Sequence, residues 1–152
     1  RKPGKRRNPG ELLLMGLSAD NLDPRLAEGL PWLLLRFEGF NSEELVARAR
    51  SMDLQNRLGF AVSLARRVAE RNLLYRDRED ELRRLEQALE RSRLAREDTY
   101  GPGKMSERMR DWIRKNRSPE AEHWNLLTDL KPEHLPYAQA NPGTLAELPP
   151  GR

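Results

Sequence analysis

Leu54-Gln-Asn-Arg-Leu-Gly-Phe-Ala-Val-Ser-Leu-Ala-Arg-Arg-Val-Ala-Glu-Arg71 decides the fold. Leu58, Phe60, Ala61, Val62, Leu64, Ala65, Val68 and Ala69 fall on several faces of a helix rather than on one stripe, so this helix must be enclosed by others. No proline occurs between Leu54 and Asp98, and Gly59 is the only glycine there. The reading is one long helix, or two nearly continuous ones. Its second half, 76–98, is charged around Leu82, Leu85, Leu89 and Leu94. Tyr75, Leu82, Leu85 and Leu89 fit a short a/d seam, interrupted by Arg78 and Ser92 at the flanking d positions. This half is expected to project as a charged arm, open to a partner or to a second copy.

Outward from this helix, Asn41-Ser-Glu-Glu44 reads as a capping box for a helix over 42–51. Asp53 is expected to cap the helix that follows. Asp23-Pro24 opens another helix, with the carboxylate as N-cap and proline in the first turn. Leu26, Leu30, Leu33, Leu34 and Phe37 recur along it, and Pro31 should kink or split it. Trp32, Leu34, Phe37, Leu58 and Leu64 are expected to be buried together. Tyr100-Gly-Pro-Gly103 is a break. Ser106 caps a helix over 107–116, and Ser118-Pro119 opens another to about Leu130. No strand-like alternation is visible. The fold class is therefore all-α: a basic flexible arm at 1–10, a helical core at 11–73, a charged helical arm at 74–98, a short helical subdomain at 104–130 and a Pro-rich extended tail at 131–152.

The 152 residues carry 28 Lys+Arg against 24 Asp+Glu, so the net charge is only +4. The small total conceals segregation. Residues 1–10 have five positive and no negative charges, residues 99–117 have six positive and two negative, and residues 11–53 have eight negative and four positive. Arg far outnumbers Lys, which suggests a GC-rich coding sequence. The absence of cysteine removes disulfides, thiolate metal sites and cysteine nucleophiles. No apolar run is long enough to span a bilayer, and no secretory signal is seen. The expected location is cytoplasmic, with no membrane partner. The chain begins at Arg1 rather than Met, which suggests a processed form or a piece of a longer protein whose preceding domain could hold the main activity.

Four groups of residues invite a functional reading. Gln55, Asn56 and Arg57 open the second helix of a possible helix–turn–helix, and their side chains can bond base edges bidentately. The competing reading is an ordinary αα-hairpin, favoured by the missing turn glycine. Arg1, Lys2, Lys5, Arg6 and Arg7 of the arm, together with Arg108, Arg110, Arg114 and Lys115, could neutralise the phosphates of DNA or RNA. The competing reading is a solvated linker and a solvated helix face. Tyr75, Leu82, Leu85 and Leu89, and separately Met109 and Trp112, could dock a cognate protein or a second copy. Met105, Met109, Trp112 and Ile113 could equally fold back onto the core. His123 and His134 match no zinc spacing. No cofactor is implied, no catalytic constellation emerges, and an enzyme is not expected.

The stretches Asp20-Asn-Leu-Asp-Pro-Arg-Leu-Ala-Glu-Gly-Leu-Pro-Trp-Leu-Leu34, Asn41-Ser-Glu-Glu-Leu45 and Asp53-Leu-Gln-Asn-Arg-Leu-Gly-Phe60 resemble the helical module of abortive-infection-type bacterial antitoxins and transcriptional regulators. Arg57, Leu58, Gly59 and Phe60 match its Arg-Leu-Gly-aromatic turn of helix. The resemblance covers residues 20–70 and implies a regulatory role and no particular binding residue. The expectation is a non-enzymatic, antitoxin-like regulator that binds DNA, a cognate protein or both. The alternative is a helical interaction or scaffold subunit of a larger assembly.

Overall fold

The computed structural model describes residues 9–36 and 39–138. The arm cations Arg1, Lys2, Lys5, Arg6 and Arg7, the core candidate Phe37 and the tail beyond Ala138 lie outside the described residues. The fold is all-α. The helices are α1 (Pro9–Leu17), α2 (Pro24–Arg36), α3 (Ser42–Ser51), α4 (Gln55–Arg71), α5 (Glu79–Glu90), α6 (Glu107–Asn116) and α7 (Pro119–His123). A 3-10 segment at Leu73–Arg78 joins α4 to α5. Two two-residue strands, β1 (Asp98–Thr99) and β2 (Leu126–Leu127), pair in parallel. The sequence showed no sign of this pairing, because two residues are too few for any alternation to register.

Helix α4 is the axis. Leu58, Gly59, Phe60, Ala61, Val62, Leu64, Ala65, Val68 and Ala69 are all buried. Burial on every face requires neighbours on every side, and α2, the 3-10 segment, α5 and α7 supply them. Leu34 joins Leu58 and Leu64 inside, while Trp32 is half-buried against the same core.

The segment after α4 does not project. The helix ends at Asn72, whose backbone is extended (φ −114°, ψ 115°). The Asn72 side chain accepts a hydrogen bond from Leu74 N (3.0 Å) and donates one to Tyr137 O (3.0 Å). The chain then turns back, and α5 lies along α4. Tyr75, Leu82, Leu85 and Leu89, expected as a seam for another molecule, are buried inside this one. The reason is that α4 has apolar faces to cover and the α5 leucines form a single stripe that covers one of them. Charged side chains add part-buried bridges between the two helices, such as Arg66–Glu86 (2.5 Å), and pairs further out, such as Arg83–Glu79 (2.6 Å). The charged arm of 74–98 is thus a core element.

Residues 104–130 are likewise no separate subdomain. Trp124 is fully enclosed and lies on Gly59, where a Cβ would sit 2.5 Å from the indole ring. Trp124 Nε1 donates to Ser63 Oγ (3.0 Å), and the Tyr100 ring meets Phe60 edge-on at 4.9 Å. Helix α7 stops at His123 rather than running to Leu130, since Asn125 adopts a left-handed conformation (φ 57°) that breaks the helix and leads into β2. The tail also packs at its start, where Pro132, Leu135, Tyr137 and Ala138 are buried. At the other end α1 begins at Pro9, inside the stretch expected to be a free arm.

Pro31 lies inside α2 without splitting it. Its missing N–H leaves the carbonyl four residues earlier, Ala27 O, without its helical partner. The buried Tyr100 hydroxyl donates to that oxygen at 2.9 Å. Tyr137 Oη donates to Glu28 O (2.6 Å), and Arg78 donates twice to Leu34 O near the end of α2 (3.1 and 3.0 Å). Burial pushes the Tyr100 and Tyr137 hydroxyls well above the ordinary phenol range, so both stay protonated donors.

Three outcomes follow from α4 and α5 forming one packed unit. Leu64→Ala should lower unfolding free energy by about 2–5 kcal/mol in denaturant melts, the range for a buried leucine truncation. Replacing Leu82, Leu85 and Leu89 together by Lys should unfold the domain rather than release a partner. Native amide exchange should be as slow across 80–89 as across 58–70.

Candidate functional site

The first turn of α4 holds the loops together. Gln55 Nε2 donates to Ser92 O (3.0 Å). Asn56 Nδ2 donates to both Leu94 O (2.8 Å) and Trp124 O (2.9 Å), and its Oδ1 accepts from Leu94 N (2.8 Å). Arg57 Nη1 donates to Leu17 O (2.6 Å) and Ala19 O (3.0 Å), while Nε and Nη2 clasp the Asp98 carboxylate at 2.9 and 3.1 Å. Gln55 is 5 % and Asn56 2 % exposed. The expectation that these three side chains read bases is therefore corrected. Asn56 has spent both amide hydrogens on backbone carbonyls, and Arg57 is committed to a carboxylate and two carbonyls. The helix start itself has no side-chain cap: Asp53, expected there, is left-handed (φ 56°) and pairs with Arg96 at 3.5 Å.

The cations of α6 diverge. Arg114 clasps Glu97 at 2.9 and 2.8 Å and also reaches Asp111 (3.0 Å), so it is engaged in ion pairs. Arg110 faces a cleft against α4. Arg108 and Lys115 are exposed. Spacings of three and four residues place Arg108, Met109, Trp112 and Lys115 on one stripe of the helix. Met109 is 47 % and Trp112 52 % exposed. Their neighbour Ile113 is buried and seats α6 on the body, and Arg117 Nη1 donates to Leu126 O (3.1 Å) just beyond the helix. Ser106 Oγ accepts from Met109 N (3.1 Å), the cap the sequence predicts.

The hydrogen bonds from Arg114 hold the Glu97 carboxyl below its ordinary range against the opposing effect of burial, with further help from the Arg114, Arg117 and Arg110 charges. The Arg114 guanidinium is correspondingly raised.

A polar cleft of about 780 Å³ opens between the first turn of α4 and the segment leading into α6, with Asp20, Arg57, Lys104 and Arg110 among its lining residues. A second hollow of about 340 Å³ lined by Met52, Asp53 and Arg96 shares Asp20, Arg57, Glu97 and Asp98 with it. The sequence reading missed Asp20 and Lys104. The available signal was the Gly101-Pro-Gly103 break, which lets the chain ahead of α6 approach the Asp20 backbone so closely that a Cβ on Gly103 would collide with it. His123 Nε2 meets Glu90 Oε1 at 2.5 Å, and His134 is exposed. Among the described residues no three His, Asp or Glu side chains group as metal ligands, and no helix is long and apolar enough to cross a membrane.

Comparison of the chain with family models, with curated proteins and with solved structures gave no match.

Asn56→Ala should cost about 2 kcal/mol or more in unfolding free energy. It leaves Leu94 N and Trp124 O without their partner, at about 1–3 kcal/mol for each buried group left unpaired, while Leu94 O keeps the hydrogen bond from Asn125 Nδ2 (2.8 Å). The Glu97–Arg114 pair gives a pH-dependent outcome. A carboxyl held below its unfolded value stabilises above that value and loses its contribution as pH falls through the folded one. Amide exchange in α6 should therefore accelerate, relative to α4, as pH drops below about 4. In Glu97→Gln that acid-dependent step should be absent.

Proposed function

We propose that this chain is a non-enzymatic regulatory module, antitoxin-like, that works by holding a cognate protein against the outer face of α6. The observation that carries the reading is the Met109–Trp112 pair. Two large apolar side chains stand about half exposed on a helix whose inward residue, Ile113, is already seated. Exposed aromatic and methionine side chains of this kind are typical anchors of protein interfaces. Arg108 and Lys115 flank them, which suits a partner with an apolar pocket and an acidic rim. The resemblance over residues 20–70 gives the reading its regulatory and bacterial, cytoplasmic colouring. The DNA-binding variant of the reading now rests on the arm and on Arg108 and Lys115, since Gln55, Asn56 and Arg57 are taken up inside the fold.

A photo-crosslinking residue placed at 112 in the full chain, expressed in its own host, should give a discrete protein adduct. The same residue at Arg84, on the exposed side of α5, should not. Met109→Ala with Trp112→Ala should abolish complex formation while moving stability by no more than about 0.5 kcal/mol, as for other surface sites. Equal adducts from 112 and 84 would overturn the reading. So would DNA binding at about 50 mM salt that weakens on Arg108→Glu and Lys115→Glu in the absence of any protein adduct.

A further inference from the structure

The cleft beside Arg57 lies apart from the outer stripe of α6 and has its own charge pattern. Its lining comes from four places in the chain: the loop ahead of α2 (Asp20, Asn21), the first turn of α4 (Arg57), β1 with the residue before it (Glu97, Asp98, Thr99), and the α6 region (Lys104, Arg110). Several of these charges are already matched. Arg57 is clasped by Asp98, and Glu97 by Arg114. No carboxylate among the described residues accepts a hydrogen bond from Lys104 or Arg110, and Arg110 acts on Glu97 only through its field. Two cations thus face the cleft with one carboxylate, Asp20, also unpaired. Asn21 Oδ1 accepts from Gly103 N (3.1 Å), leaving the Asn21 amide hydrogens to donate. The Thr99 hydroxyl can donate and accept.

This is a divided recognition surface. Two cations suit a dianionic phosphate, for which Arg and Lys are the usual partners. A carboxylate, an amide and a hydroxyl suit a set of sugar hydroxyls, which donate to the first and exchange hydrogen bonds with the others. A volume of about 780 Å³ falls within the size of small-molecule sites. We propose that this cleft binds a phosphorylated sugar, with Lys104 and Arg110 taking the phosphate and Asp20, Asn21 and Thr99 the hydroxyls. Lys104 and Arg110 belong to the α6 region, whereas Asp20, Asn21 and Thr99 belong to the loop ahead of α2 and to β1. The bound molecule therefore ties α6 to the body of the protein and slows its local opening. The proposal stands independently of what docks on the outer stripe.

The test uses the full chain with ribose 5-phosphate, inorganic phosphate and ribose as probes, followed by calorimetry and by amide exchange in α6. Ribose 5-phosphate should bind saturably, raise Tm and slow exchange in α6. Inorganic phosphate should bind more weakly, and ribose alone should have no effect. Lys104→Gln with Arg110→Gln should weaken ribose 5-phosphate at least about tenfold, since a hydrogen bond to a charged group is worth that much or more. Both positions are on the protein surface, so an unchanged circular dichroism spectrum and Tm without ligand will verify that the variant is folded. Asp20→Asn should weaken ribose 5-phosphate and leave inorganic phosphate unchanged. Equal affinity in the parent and the double variant would overturn the proposal. Binding of inorganic phosphate as tight as that of ribose 5-phosphate would reduce the cleft to an adventitious anion site and overturn the sugar part. An oligonucleotide that requires Lys104 and Arg110 while ribose 5-phosphate fails to bind would reassign the cleft to a nucleic-acid backbone.

Discussion

Asn56 is the side chain on which the arrangement of this molecule turns. Buried at the first turn of α4, it bonds in both directions to Leu94 and also holds the carbonyl of Trp124. It thereby fixes the irregular stretch after α5 and the turn after α7 against the same helix end. Gln55 and Arg57 on either side extend the clamp to Ser92, to the end of α1 and to Asp98. Irregular segments carry backbone groups that regular structure would have paired, and such groups are costly to bury alone. Three adjacent polar side chains remove that cost for three loops at once. The cleft and the seating of α6 both depend on it, because Asp98 and Glu97 are placed by the strand that the clamp holds.

A second constraint is the way α2 tolerates proline. A proline in a buried helix normally leaves an unpaired carbonyl in the core. Here Tyr100 reaches across to Ala27 O, and the neighbouring carbonyl of Glu28 receives Tyr137. Both tyrosines come from the C-terminal half, so the defect in α2 becomes a polar attachment point for chain that also packs on the core through Trp124, Leu126 and Leu135. Tyr100 also meets Phe60 at its ring edge, joining the polar repair to the packing of α4.

The helices and several of their ends were legible in the sequence, since caps and periodicity are local properties. Asn41, Ser106 and Ser118 accept the backbone hydrogen bonds expected of caps. What escaped was long-range. The Leu82, Leu85 and Leu89 stripe has the same spacing whether it meets another chain or α4 of its own, and periodicity does not name the partner. Gln55-Asn-Arg57 has the composition of a base-reading turn and also that of a loop clamp. Only the positions of Ser92, Leu94, Trp124 and Asp98 distinguish them. The break at Asn72 was hidden because asparagine is tolerated within helices as well as beyond them, and its partner Tyr137 lies 65 residues away. Of the candidate contact residues, Met109, Trp112, Arg108 and Lys115 remain on the surface, because a short helix with one buried residue, Ile113, leaves most of its circumference outside.

The bond from Tyr137 to Glu28 spans 109 positions of the chain, and Trp124 closes over Gly59 from 65 positions away. A nascent polypeptide leaving the ribosome N-terminus first would present α2 and α4 long before either closure is available. During that interval Phe60 lacks Tyr100, Gly59 lacks its indole cover and Ala27 O lacks its donor. The leucine-rich segment from Leu12 to Leu35 would meanwhile be open to other apolar surfaces. Synthesis must advance by most of the chain before the core can seal. Until then the apolar faces of α2 and α4 stay uncovered, which is the interval in which an incomplete chain is most exposed to aggregation.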